Sequence, residues 1–185
     1  MTKQDKLDRE AKIVDECTVC RVDRVGVAVF GEGNPDADVM FIGEAPGKLE
    51  SETGRPFVGR SGKLLREAIR GAGLLEKDVY ITSPVKYLPT YKTPNYKDIE
   101  HGMTHLSKQI EIIDPKILVL LGNVATVGVL GKGHFIAKEH GSIVKRDGKN
   151  YFLSYHPAAA IRFAKIKPIF LKDFQLLPAL IKSNS

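Results

Sequence analysis

The chain has 185 residues, with 28 Lys and Arg against 22 Asp and Glu, a net charge of +6. That length suits one domain, residues 1–185, whose core needs no staples; residues 1–20 read as an N-terminal helix followed by a Cys-x-x-Cys segment. No run of about 18 apolar residues occurs, which excludes a membrane-spanning helix. The charged start, Met1-Thr2-Lys3-Gln4-Asp5-Lys6, has no apolar signal region and reads as cytosolic. The spacing Cys17-x-x-Cys20 argues against a disulfide framework. The basic excess is compatible with a polyanion partner without proving one.

In chain order, a first helix is predicted over Lys3 to Asp15. Four strand-like runs follow: Val39-Ile42, Val79-Thr82, Ile117-Leu121 and Tyr151-Ser154. Helical stretches with apolar spacing of three and four separate the first three (Leu64, Leu65, Ala68, Ile69; Leu106, Ile110, Ile113). A further helix runs from Val124 to Leu130. Ile136-Lys138 and Ser142-Lys145 read as extended, turning at Asp147-Gly148 into Tyr151-Ser154 as a hairpin. The last helix is expected over Phe170 to Ile181, and Tyr87 to Asn95 reads as a loop. Strands alternating with helices predict a three-layer α/β/α fold around a central, mainly parallel four-stranded sheet.

The densest chemistry follows the first of these strands. Val39-Met40-Phe41-Ile42 runs into Gly43-Glu44-Ala45-Pro46-Gly47, then Glu50, Gly54-Arg55-Pro56-Phe57-Val58-Gly59 and Gly62-Lys63-Leu64-Leu65. A loop of this composition at the carboxyl end of a strand is where open α/β sheets put their sites. It is not a phosphate-binding P-loop, because no glycine stands five positions before Gly62 and Leu64 follows Lys63. A second block, Tyr155-His156-Pro157-Ala158-Ala159-Ala160-Ile161-Arg162, answers it near the other end.

Together the two blocks resemble the type-4 branch of the uracil-DNA glycosylase superfamily. The resemblance extends through Phe30 to Asp38 and Pro115 to Gly122, covering most of residues 14–176. It implies a monofunctional enzyme that hydrolyses the N-glycosidic bond of uracil, or another deaminated base, in DNA. It also implies that His156 is the catalytic histidine and that Phe57 stacks on the flipped base. A neutral imidazole can donate to a pyrimidine oxygen as that oxygen gains charge. Glu44 is placed to position water or to offset a cationic sugar, or else to cap the loop. Glu50 matches a pocket acid, with Gly43 and Ala45 beside it. Arg60, Lys63, Ala159, Arg162 and Lys165 lie in or beside the two motif loops, where a DNA backbone would pass. The expected partner is DNA carrying the damaged base, and the expected state is a monomer.

Two departures bear on specificity and metal. The family's Ile-Thr-Asn reads here Ile81-Thr82-Ser83, so one hydroxyl stands where an amide pairs with the base edge. A glycosylase preferring a base other than uracil, or a damaged-DNA or nucleotide-binding module without turnover, are therefore the rival readings. The resemblance also implies a four-iron cluster on four cysteines. Cys17 and Cys20 match the first pair, whereas Tyr87 and Gly102 occupy the other two positions, so a 4Fe-4S cluster is not expected. His101 or His105 with the cysteine pair suggests zinc as an alternative, with no fourth ligand evident from the sequence. The expected chemistry needs no cofactor.

Overall fold

A computed structural model of the chain describes residues 1–183; Asn184 and Ser185, the end of the expected 1–185 domain, lie outside the described residues. The elements in order are α1 (Lys3–Glu16), β1 (Arg24–Val25), β2 (Glu32–Gly33), β3 (Val39–Ile42), α2 (Lys48–Thr53), α3 (Arg60–Gly71), β4 (Val79–Thr82), β5 (Leu88–Pro89) and α4 (Tyr96–Ile113). They continue with β6 (Ile117–Leu121), α5 (Gly122–Leu130), α6 (Ile136–Glu139), β7 (Ile143–Arg146), β8 (Lys149–Ser154), α7 (Pro157–Arg162), α8 (Ile166–Phe174) and α9 (Leu177–Lys182).

The four expected strands form the parallel centre of the sheet, in the order β4-β3-β6-β8. Each reads as a nearly continuous apolar run because helices cover both faces. Alternate side chains divide between two cores. Phe41, Val119 and Phe152 face α3, α8 and α9 through Leu65, Ile69, Phe170, Phe174 and Leu177. Met40, Leu118, Leu120 and Leu153 face α1, α4 and α5 through Leu7, Leu106, Ile113 and Ala125.

The sheet is wider than the four strands expected. β2 pairs antiparallel with β4 at one edge and β7 pairs antiparallel with β8 at the other, giving six strands. β7 and β8 form the anticipated hairpin, with Asp147 and Gly148 both at positive φ, the pattern of the turns that match strand twist. Two local readings are corrected. Ile136–Glu139 is a short helix rather than an extended segment, and Asn123 Oδ1 accepts from the Ile136 N–H at its start. The final helix is two, broken at Gln175 and Leu176. Pro178 explains the break, since its ring would meet the Phe174 carbonyl of a continuous helix and it has no N–H to donate. In the 87–95 loop, Leu88 and Pro89 make a two-residue pairing with Arg24 and Val25.

One buried cation fixes the end of β4. Lys86 is 1% exposed. Its ammonium donates to Ser83 O at 2.6 Å, Gln109 Oε1 at 2.5 Å, Thr82 Oγ1 at 2.9 Å and Phe30 O at 3.1 Å. It thus joins the strand end to α4 and to the segment before β2. Burial pushes its pKa down to about 7. Each acceptor stranded by its loss costs about 1–3 kcal/mol, so Lys86→Ala is expected to lower stability in urea by about 3 kcal/mol or more. A loss below about 1 kcal/mol would show that water replaces the ammonium at no cost.

Candidate active site

The parallel strands end on one side of the sheet, and β3 is the point where the strand order reverses, with β4 on one flank and β6 on the other. Ligands in open α/β sheets bind at such a crevice. A cavity of about 200 Å³ opens there, and Glu44, Ala45, Glu50, Phe57, Ser83 and His156 all line it. Residues more than 110 positions apart in the chain therefore share one pocket, because β4, β3 and β8, the last one strand beyond β3 across β6, all finish at the same end of the sheet. Gly43 lies behind this wall: a Cβ there would stand 2.5 Å from the Phe57 ring.

Phe57 adopts φ 52°, a left-handed backbone that is costly for a bulky side chain. Several contacts hold it there. Glu50 is buried, and its Oε1 accepts from the N–H groups of Val58 at 2.9 Å and Gly59 at 2.8 Å. From the other side Arg66 donates to Phe57 O and Pro56 O, both at 3.1 Å, and is itself fixed by Glu32 at 2.6 Å and Glu76 at 2.7 Å. Gly62 permits the tight return of the chain, since a Cβ there would come within 1.9 Å of Phe57 O. Glu50, read from sequence as a pocket acid, is thus a clamp on the Phe57 loop as well as part of the wall.

His156 caps the N-terminus of α7, and its Nδ1 accepts from the Ala158 N–H at 3.1 Å. That bond assigns the ring proton to Nε2 and leaves Nε2–H free to donate. Burial pushes the imidazole down to about 4, so it is neutral near pH 7. The Phe57 and His156 rings lie 5.8 Å apart at 35°. Across the pocket, burial pushes the Glu44 carboxyl above its ordinary value. Ser83 is buried and its hydroxyl donates to Val85 O at 2.9 Å, so only its lone pairs remain for a ligand.

Arg60 and Lys63 line a second cavity of about 550 Å³ together with Ile161 and Lys167. Arg162 sits 5.4 Å over the Phe163 ring, Ala159 is half-buried on the same helix, and Lys165 is exposed at the start of α8. Among the described residues none of these cations is in an ion pair. The His-Pro-Ala segment, read as a loop, is a helical turn with Ala160 packed into the core. The apolar groups exposed beside it are Ile161 and Phe163. Sequence reasoning missed Phe163, and also Lys92, which lines the pocket. Phe163 could have been noticed as an aromatic next to Arg162 with no place in the apolar spacing of α8; Lys92 sits in a loop with no pattern to mark it.

Cys17 and Cys20 lie outside this pocket. They group with His101 and His105, one potential ligand atom from each lying within 4.8 Å of the others, so both histidines, where the sequence suggested one or the other, stand beside the cysteine pair. Among the described residues no helix is long and apolar enough to cross a membrane.

Comparison with known proteins agrees with this geometry. Residues 30–176 match the sequence model of the Uracil DNA glycosylase superfamily. A Type-4 uracil-DNA glycosylase of Sulfurisphaera tokodaii is 38% identical over 190 residues, covering 95% of this chain and 85% of its own. One of Thermotoga maritima is 37% identical over 190 residues, covering 99% and 98%. A third, of Saccharolobus solfataricus, is 38% identical over 198 residues, covering 97% and 88%. The match spans the segment that carries Glu44, Phe57 and His156 onto one pocket, and the chain belongs to the uracil-DNA glycosylase superfamily.

Proposed function

We propose that this protein is a DNA-repair glycosylase that hydrolyses the N-glycosidic bond of uracil in DNA, releasing the base and leaving an abasic site. The observation that supports it most is His156 with its Nδ1 accepting from the Ala158 N–H, its ring beside Phe57, in a small pocket that Glu44 also lines. Bond cleavage leaves positive charge on the sugar and sends the bonding pair onto the base. Nε2–H donates to the base oxygen that gains this charge, a role worth more inside a dry pocket than in water. Water adds to C1′ and its proton passes through solvent to the departing base anion, and the Glu44 carboxylate orients that water or offsets the sugar's charge. Phe57 restores part of the stacking that the flipped base has lost, about 1–3 kcal/mol. No step of this chemistry calls on Cys17 or Cys20.

In this proposal residues 1–185 act as one domain, monomeric and cytoplasmic, with Cys17 and Cys20 in no disulfide. DNA reaches the pocket across Arg60, Lys63, Arg162 and Lys165, with Ala159 and the exposed Ile161 and Phe163 at the gap left by the flipped nucleotide. Ser83 gives a specific reason to keep a second substrate in view. With its hydrogen bound to Val85 O, its oxygen can only accept, and an acceptor suits the ring N–H of uracil, hypoxanthine and xanthine alike. The deciding experiment offers oligonucleotides carrying each of the three bases, followed by alkaline cleavage. Strand breaks at uracil support the proposal, breaks only at a purine move the substrate, and tight binding without breaks means a binding module.

Loss of an oxyanion donor typically slows an enzyme about 100- to 1000-fold, and His156→Ala is expected to slow single-turnover excision by at least that much with the fold intact. Near-normal turnover would remove His156 from the chemistry.

The imidazole itself gives an independent check. Nitrogen NMR is expected to find His156 as the Nε2–H tautomer, titrating at about 4. Because this lies below the ordinary value of 6.5, the unfolded chain takes up the proton first. The stability contributed is therefore full above about pH 6.5 and is lost as pH falls through about 4. An ordinary titration midpoint would contradict the burial argument.

For the DNA path, the Arg162→Ala, Lys165→Ala double variant is expected to lower the slope of log K against log salt by about 1.8 on duplex DNA. Phosphate contacts carry no base information, so damaged and undamaged duplexes should weaken alike. An unchanged slope would put the DNA elsewhere.

A further inference from the structure

The family resemblance implies four cysteines around an iron–sulfur cluster, and the residues present do not fit it. At one missing position Tyr87 has its ring under the Arg24 guanidinium, 4.2 Å away, and its hydroxyl 3.4 Å from Asp15. At the other, Gly102 packs so closely that a Cβ would lie 2.4 Å from Pro84 O, leaving no room for a cysteine without moving the backbone. What the fold assembles instead is Cys17, Cys20, His101 and His105, a Cys-x₂-Cys…His-x₃-His spacing of the kind that binds one tetrahedral ion. The two histidines are one turn apart on α4 and meet the segment that follows α1.

We propose that these four side chains hold a single structural zinc ion in place of the family's cluster, with Glu10 as the carboxylate that orients His105. Three observations carry this. The four ligand atoms lie within 4.8 Å of one another, and a tetrahedron with bonds of about 2.0–2.3 Å has edges of about 3.3–3.8 Å, so a slight closing of the side chains completes it. Cys17 Sγ is already 3.1 Å from His101 Nε2. Most telling is His105: its Nδ1 is 3.0 Å from Glu10 Oε1, while its buried Nε2 has no hydrogen-bond partner among the described residues. A buried polar atom left unpaired needs an explanation, and a metal ion supplies one. Glu10 accepts the Nδ1 proton, which leaves the Nε2 lone pair for the ion, the usual carboxylate–histidine–metal arrangement.

Two thiolates balance the charge of Zn²⁺, and binding releases the two thiol protons to solvent. With four protein ligands there is no open position for water, so the ion is structural rather than catalytic. It pins α1 and the residues after it against α4, next to the buried Lys86 that holds Ser83.

The test is metal analysis of the protein as purified, with titration of the metal-free protein by cobalt(II) and zinc. The expected result is one zinc per chain, no acid-labile sulfide, and no broad visible absorbance even after reconstitution with iron and sulfide. Cobalt should give the thiolate charge-transfer and tetrahedral bands, and Cys20→Ala or His105→Ala should abolish them. Those variants can misfold, so Glu10→Gln serves as the second probe. It keeps all four ligands and is expected to weaken zinc about 10- to 100-fold in competition with a chelator. Stoichiometric iron and sulfide, failure of the metal-free protein to bind zinc or cobalt, or unchanged zinc affinity in both His105→Ala and Glu10→Gln would each overturn the proposal.

Discussion

The hydrogen bonds from the Val58 and Gly59 N–H groups to the buried Glu50 carboxylate are the contacts on which the pocket depends. They hold a phenylalanine in a backbone conformation that such a residue rarely takes. Strain of this kind persists only where surrounding groups over-determine it. Here Glu50 grips the chain after Phe57, Arg66 grips the carbonyls of Pro56 and Phe57, and Glu32 and Glu76 hold Arg66. The outcome is an aromatic ring held in the pocket wall, and on the proposed reading it is in place before the base arrives. Preorganisation matters because a base flipped from DNA brings lost stacking with it, and a wall that had to order itself would add to that cost.

The other wall is fixed by backbone as well. The Ala158 N–H at the start of α7 sets the tautomer of His156, and the end of β4 is held through Lys86 and the hydroxyl of Ser83. The proposed chemistry therefore rests on elements rooted in the central sheet. The cysteine–histidine group lies outside this pocket, where Cys17 meets His101 and Glu10 of α1 meets His105 of α4.

Much of this arrangement can be read from the sequence, for physical reasons that differ by element. The four central strands are buried on both faces, so each appears as an unbroken apolar run, and their order of motifs marks the strand ends that carry Glu44 and His156. Of the two edge strands, β7 is legible only through the Asp147-Gly148 turn that folds it back on β8, whereas β2 is two residues long and has no apolar pattern. Helices α8 and α9 share one apolar periodicity, and only the missing N–H of Pro178 divides them. At the site, residue types were legible and bonding partners were not. Nothing in the spacing of Glu50 reveals that its carboxylate caps two N–H groups eight and nine residues on. Nor does the four-residue spacing of His101 and His105 show that α1 packs beside α4 and delivers two thiols to them.

The most direct test of the clamp compares single-turnover excision by Glu50→Ala and Glu50→Gln with the native protein. Misplacing a reacting group by about 1 Å can cost about 100-fold. Glu50→Ala should therefore lose roughly that much while unfolding cooperatively and binding undamaged duplex as before, and Glu50→Gln, which keeps an accepting oxygen, should recover a large part of the rate. A folded Glu50→Ala protein that excises at the native rate would contradict the account, because Phe57 would then be in place without the contacts said to hold it.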